Sequence, residues 1–357
     1  MPPAPPAPPW TAPVGHLVDF VPGQAVCGGS PAVPVHAEQP FPAYALGVPG
    51  LKPVPATVTF DIDADGRPVR VAREASPPAP PYLYYPSQDL VPAFTAWRFA
   101  AGQPRNGCRI RFEALAAVAT EAPVALIRRY YVAPHQREGD EAAMFRRIHP
   151  VDSDCIEGGV PKIRVRAYPA FEHIPQAPGT WSYSMTAFDI DRSGKPVHVR
   201  LAESAGNPAL DRASIAAIAR SRFAPEARHG CTYPYYRRST EPLAAPTMPD
   251  KARFVPASAR CPDGDTGWTF MPPLSFPAGF ERRRIEGWAI IGYDVAPWGS
   301  TGNVRVLAAE PAAAFGEQAE RIVGASRQAA SPEGRTGCVD VVRFIMPEGS
   351  AAVAEGL

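Results

Sequence analysis

Six cysteines are the residues whose type and spacing first suggest chemistry: Cys27, Cys108, Cys155, Cys231, Cys261 and Cys338. None forms a C-x-x-C pair and no histidine stands at zinc-ligand spacing from any of them, which argues against a zinc ribbon or a redox dithiol. Taken consecutively they fall into three pairs separated by 81, 76 and 77 residues. Six cysteines allow fifteen connectivities. The near-equal spacing selects 27–108, 155–231 and 261–338, against the alternative of six buried free thiols. Each bridge would close a loop worth about 4–5 kcal/mol in the chain-entropy model. Disulfides in turn imply an oxidising compartment.

Equal spacing also calls for an internal repeat. Unit 1 has Phe60-Asp-Ile-Asp-Ala-Asp-Gly66, unit 2 Phe188-Asp-Ile-Asp-Arg-Ser-Gly194 and unit 3 Tyr293-Asp-Val-Ala-Pro-Trp-Gly299. The aromatic follows the first cysteine by 33, 33 and 32 residues and precedes the second by 48, 43 and 45. The second cysteine follows glycine each time: Gly107, Gly230 and Gly337.

Other candidate chemistry is thin. Asp61-x-Asp63-x-Asp65-Gly66 imitates the start of a calcium loop, but Ala72 stands where the bidentate Glu belongs. Asp-Gly is a preferred turn pair, so a hairpin turn is expected there. The seven histidines are scattered, and no metalloprotease, nucleophile-elbow, phosphate-loop or dinucleotide motif occurs. The expectation is a non-enzyme with no cofactor and no metal. Two aromatic clusters, Pro81-Tyr-Leu-Tyr-Tyr85 and Tyr233-Pro-Tyr-Tyr-Arg-Arg238, suit either a core or an interface.

The elements that would carry these residues follow from periodicity. In each unit an alternating run (56–63, 182–191, 287–295) reads as a strand, then a Gly turn, then a second strand (68–72, 196–201, 303–307). A helix follows. In unit 2 Asn207 takes the N-cap and Pro208 the first helical position, with Leu210, Ala217 and Ile218 on one face. Unit 3 places Phe315, Ala319, Ile322 and Val323 on one face. In unit 1 Pro92 shortens or breaks the helix. The second cysteine opens a third strand: 108–112, 231–236 and 338–345. The predicted fold class is α+β: three tandem strand–strand–helix–strand repeats, each with one disulfide. The boundaries are a Pro-rich tail over 1–20 and repeats over 21–135, 136–245 and 246–357, with linkers near 114–150 and 239–258.

Composition sets the class. The chain has 357 residues, 36 Lys+Arg, 35 Asp+Glu and a net charge of +1. Nothing makes the basic footprint of a nucleic-acid binder. Its 46 prolines are roughly 13 %, against about 5 % on average, which excludes a mostly helical protein. No apolar run of 18 residues predicts a membrane span, and no signal-peptide pattern opens the chain as given.

Several segments resemble the C-terminal domain of the TonB family of bacterial energy transducers. Phe276-Pro-Ala-Gly-Phe-Glu-Arg-Arg-Arg-Ile-Glu-Gly-Trp288 is similar to the segment that leads into that domain's first strand. Leu201-Ala-Glu-Ser-Ala-Gly-Asn-Pro-Ala-Leu-Asp-Arg-Ala213, with Arg222-Phe223-Ala-Pro225, resembles its second strand, helix and exit. The resemblance spans units 2 and 3 and, more weakly, unit 1. It implies a Gram-negative periplasmic protein that recognises an envelope protein, such as a TonB-dependent outer-membrane transporter, by strand addition to a sheet edge. The last strand of unit 3, with Val339, Val341, Arg343 and Ile345, is the expected docking strip. The alternative is a stand-alone periplasmic adaptor or scaffold subunit with no energy-transducing role. The partner's identity and the oligomeric state are not legible in the sequence.

Overall fold

The computed structural model describes residues 13–47, 50, 52–75, 88–134, 141–261 and 267–347. The proline-rich start up to residue 12 and the cluster Pro81–Tyr85 lie outside them.

Its elements in chain order are β1 (Val14–Pro22), β2 (Val26–Cys27), β3 (Ala43–Gly47), β4 (Ala56–Ile62), β5 (Pro68–Arg73), α1 (Leu90–Thr95), β6 (Arg105–Val118), α2 (Val124–Val132) and α3 (Glu141–Arg147). Then come β7 (Trp181–Ile190), β8 (Pro196–Ser204), α4 (Pro208–Arg220), β9 (Arg228–Arg238), α5 (Phe280–Arg283), β10 (Gly287–Val295), β11 (Thr301–Glu310), α6 (Ala313–Ala325) and β12 (Arg335–Phe344). Several two- and three-residue ladders complete the set.

Three antiparallel strand triplets recur: β5-β4-β6, β8-β7-β9 and β11-β10-β12. In each, the first hairpin strand lies at the centre and the second and third flank it. The registers coincide, because Phe60 faces Cys108, Phe188 faces Cys231 and Tyr293 faces Cys338. β4 alternates buried Ala56, Val58, Phe60 and Ile62 with half-buried Thr57, Thr59 and Asp61, the period-2 pattern of a half-covered sheet. The hairpin turns need glycine. Gly66, Gly194 and Gly299 all have positive φ, and a Cβ there would meet the carbonyl oxygen of Phe99, Phe223 or Gln328 at 2.2 Å.

The helices follow their caps and stripes. The Asn207 side chain accepts the Leu210 N–H at 3.1 Å, and Pro208 opens α4. Pro92 falls in the first turn of α1, where no N–H is needed, so that helix forms but stays short. The disulfides are Cys27–Cys108, Cys155–Cys231 and Cys261–Cys338, the pairing that the spacing selects.

Two segments expected as linkers are packed structure. β6 runs on to Val118, and α2 and α3 then fold back over β1. Leu17, Tyr44, Ile127, Tyr130, Met144 and Ile148 form a buried cluster of their own. Ile127, Tyr130 and Tyr131 supply the i, i+3, i+4 stripe that makes α2 pack. Residues 243–254 lie over one face of the β11-β10-β12 sheet: Trp288 Nε1 donates to Pro246 O at 2.7 Å, and Met248 and Phe254 pack near Ile290 and Val339. The other face holds α6.

Units 1 and 3 share one hydrophobic core. It joins Phe60, Phe94, Trp97 and Phe112 to Phe280, Phe315, Ile322 and Phe344. Val71 bridges Ala312, its N–H donates to Pro311 O at 2.9 Å, and the Arg70 N–H donates to Glu310 at 2.8 Å. Unit 2 has a separate core of Phe188, Leu210, Ile218, Phe223 and Tyr235. No described helix is long and apolar enough to cross a membrane.

Candidate docking edge

Each triplet ends on a third strand, β6, β9 or β12, that begins at a disulfide. A terminal strand presents a row of backbone donors and acceptors that another strand can take. The three strands differ in what lies along that edge.

In unit 1 the chain fills the edge itself. β4 pairs with one side of β6, and residues 14–27 run antiparallel along the other. His16 faces Val118, Pro22 faces Phe112, Val26 faces Arg109 and Cys27 faces Cys108. β3 then pairs outside β1. Leu17, Val18 and Phe20 are buried, so the added strand is anchored by its side chains as well as by its ladder.

In unit 2, β9 pairs with β7 and with no second strand among the described residues. Pro234 sits within it and has no N–H to offer. Its aromatics turn inward or sideways. Tyr235 is buried and donates to Ala167 O at 2.7 Å, whereas Tyr236 stacks on Trp181 at 4.8 Å and packs near Val132 of α2.

In unit 3, β12 pairs with β10 from Cys338 to Phe344. Along its other side a bridge from Arg260 to Thr336 precedes the disulfide, and none follows up to Ile345 among the described residues. No proline interrupts 338–345, so every residue there has an N–H. Val339, Val341 and Arg343 lie on β12 and Ile345 just past its end. Val339 is only 8 % exposed, beneath the 243–254 segment, and Val341 packs beside it. Those two valines would therefore serve a partner through their backbone. Arg343 is exposed and Ile345 is 61 % exposed, so side-chain recognition would fall to them.

One recurring polar device escaped sequence reasoning. Asp61, Asp189 and Asp294, each directly after the repeated aromatic, accept the N–H of Gly107, Gly230 and Gly337 at 2.5–2.8 Å. The same carboxylates hold Arg70, His198 and Asn303 at 2.6–2.8 Å. These three residues all have positive φ, near 50°. The carboxylate thus ties a strained bulge on the second strand to the glycine before the second cysteine. Burial pushes Asp189 up, but the Gly230 amide and the imidazoles of His198 and His229 outweigh it and hold it below the usual carboxylate range. The Asn303 side chain and then the Gly337 amide do the same for Asp294. The Asp63 and Asp191 carboxylates instead accept turn amides, Asp65 and Arg67 in unit 1, Ser193 and Lys195 in unit 2. That is a turn's bonding rather than a calcium loop's. No group of three or more potential metal ligands converges among the described residues.

No curated protein matches the chain. A family model does, over the segment that spans β7, β8, α4 and nearly all of β9: residues 177–237 match the Gram-negative bacterial TonB protein C-terminal, and unit 2 is similar to that domain.

Proposed function

We propose that the protein is a non-catalytic recognition protein of the Gram-negative periplasm, built from three TonB-C-like repeats over 21–135, 136–245 and 246–357. It takes an extended segment of an envelope protein, such as the N-terminal part of an outer-membrane transporter, as an added strand along β12. The family match of unit 2 supports the class of function, and the three disulfides fit an oxidising compartment. The observation that carries the choice of site is the outer side of β12. It lacks a partner strand beyond the disulfide among the described residues, and no proline interrupts it.

Proline placement tests this. Adjacent N–H groups on an antiparallel strand point to opposite sides. Of Val341→Pro and Val342→Pro, one therefore breaks the ladder to β10 and the other only blunts the outer edge. Titration calorimetry with peptides that copy the N-terminal segments of outer-membrane transporters gives the readout, with melting temperature as the control. The variant that keeps its melting temperature should lose at least about tenfold in affinity, one added-strand hydrogen bond and its neighbours. Unchanged binding by that variant removes β12 as the site. If no such peptide binds the wild-type chain, the second reading stands, a stand-alone scaffold subunit. The core shared by units 1 and 3 favours that reading, because it makes the repeats a fixed platform.

A further inference from the structure

Apart from its exit at Leu243, whose N–H and C=O pair with Arg284 O and Glu286 N, unit 2 meets units 1 and 3 through scattered polar contacts, and Glu38 reaches both. Its Oε1 accepts the Trp181 N–H of β7 at 2.9 Å and Arg283 Nη1 of α5 at 2.8 Å. Its own carbonyl accepts Trp97 Nε1 at 2.9 Å. Glu38 thereby bonds all three units at once. Arg283, 5 % exposed, is also gripped by Asp89 in a two-toothed pair at 2.7 and 2.6 Å, and its guanidinium lies 4.3 Å from the centre of the Phe41 ring. Phe41 in turn meets Trp181 edge-on at 5.5 Å.

The two carboxylates have different duties. Asp89 and Arg283 bind unit 1 to unit 3, inside the shared core. Glu38 alone of the two acids reaches into unit 2. Around it further contacts are few: Arg283 Nη1 also lies 3.5 Å from Gly179 O of unit 2. Val132 of α2 packs with Tyr183, Met185 and Tyr236, and Arg128 meets Glu203 at 3.3 Å. Beside the joint a cleft of about 490 Å³ opens between Phe41 and Arg129 on one side and Gln176, Trp181 and Asn207 on the other. A cleft along a seam means that little apolar surface is closed there.

We propose that the molecule is two bodies rather than three. Units 1 and 3 are fused through their common core, and unit 2, inserted between them in the chain, is held on that body by the Glu38 joint. Unit 2 opens and unfolds as a unit of its own. The joint sets the angle between the β9 and β12 edges.

Hydrogen exchange of the wild-type, fully oxidised chain in a series of low urea concentrations tests the division without any mutation. The slow amides of β7 and β9 should open together, at lower urea than those of β4, β6, β10 and β12, which should open together at one higher concentration. If β4 and β10 open at separate concentrations, or if all three sheets open as one, the two-body division is wrong. The joint is tested by Glu38→Ala beside Glu38→Gln. The alanine leaves Arg283 paired with Asp89, so the fused body keeps its weld. It should speed exchange at Trp181–Tyr183 by about tenfold or more and raise the radius of gyration in small-angle scattering, with β4 and β10 unchanged. The glutamine keeps an acceptor for the Trp181 N–H and should lie near wild type. Unchanged exchange at Trp181–Tyr183 in a folded alanine variant discards the joint. Loss of protection in β4 and β10 as well makes Glu38 part of the fold and discards it too.

Discussion

The outer sides of β6 and β12 occupy the same place in their units and have opposite fates. β6 is closed by the chain's own residues 14–27, laid antiparallel from Val118 back to Cys108. β12 carries its disulfide partner only at the start and then continues without a second strand among the described residues. A strand stays on such an edge when buried side chains back its ladder. β1 supplies Leu17, Val18 and Phe20 to two buried clusters, so its ladder is backed by apolar area. Backbone pairing alone contributes about 1 kcal/mol per net hydrogen bond. A partner on β12 would need comparable anchors, and Ile345 and Arg343 are the side chains exposed to provide them.

The buried anchors of β1 carry the largest expected effect. Phe20→Ala should cost about 3–5 kcal/mol, the range for deleting a buried aromatic, and should loosen β1 from β6. Urea unfolding measures the first effect, and faster amide exchange along 112–118 the second. Substitution of exposed Ile345 by Ala should leave stability within about 0.5 kcal/mol.

The clip that begins both edges comes next. Replacing Cys27 and Cys108 together by Ser should lower stability by about 2–5 kcal/mol, as for a native bridge. The β1 ladder should persist, because residues 16–22 hold β6 by their own contacts. The equivalent change at Cys261 and Cys338 should free the segment around Arg260, whose one ladder contact among the described residues is the bridge to Thr336. Proteolysis near residue 260, compared with cleavage near residue 27, reads the contrast.

The smallest effect is on acidity. Asp189 and Asp294 are held below the ordinary carboxylate value of 3.8 in the folded chain. Their contribution to stability is therefore present above that value and is lost as the pH falls through their lowered native values. Urea midpoints measured downward from pH 5 should drop below about pH 4. Asp294→Asn should flatten part of that drop in the β10–β11 hairpin, and a drop unchanged in the variant would assign it elsewhere.

Much of the fold was legible from local pattern. Strand alternation at 56–63 and 182–191, the Asn207-Pro208 cap and the cysteine spacing are short-range signals, and each fixes its own element. What escaped depends on contacts far apart in sequence. β1 pairs with β6 across about a hundred residues, and nothing in Val14–Pro22 alone says which edge it will take. The stripe of Ile127, Tyr130 and Tyr131 spans little more than one turn, too short a signal to mark a helix within 114–150. Glu38, Asp89 and Arg283 meet across separations of 194 and 245 residues, beyond any local motif. The Asp61, Asp189 and Asp294 device was visible as a repeated aromatic-Asp pair. Its partner, the glycine before the second cysteine, lies more than forty residues away and meets it only across the folded sheet. The docking strip was legible as a strand, but the burial of Val339 beneath residues 243–254 was not.

The most direct measurement is amide exchange along β12 set beside β6 in the wild-type, oxidised chain, read residue by residue by NMR. The account predicts that alternate amides from Val339 to Phe344 exchange with little protection, because they face no partner, while those between are slow in their ladder to β10. Across Arg109–Phe112 of β6, which β4 flanks on one side and residues 22–26 on the other, amides facing either side should be slow. Protection at every position from Val339 to Phe344 would mean that another strand already covers β12, and would contradict the claim that this edge is open.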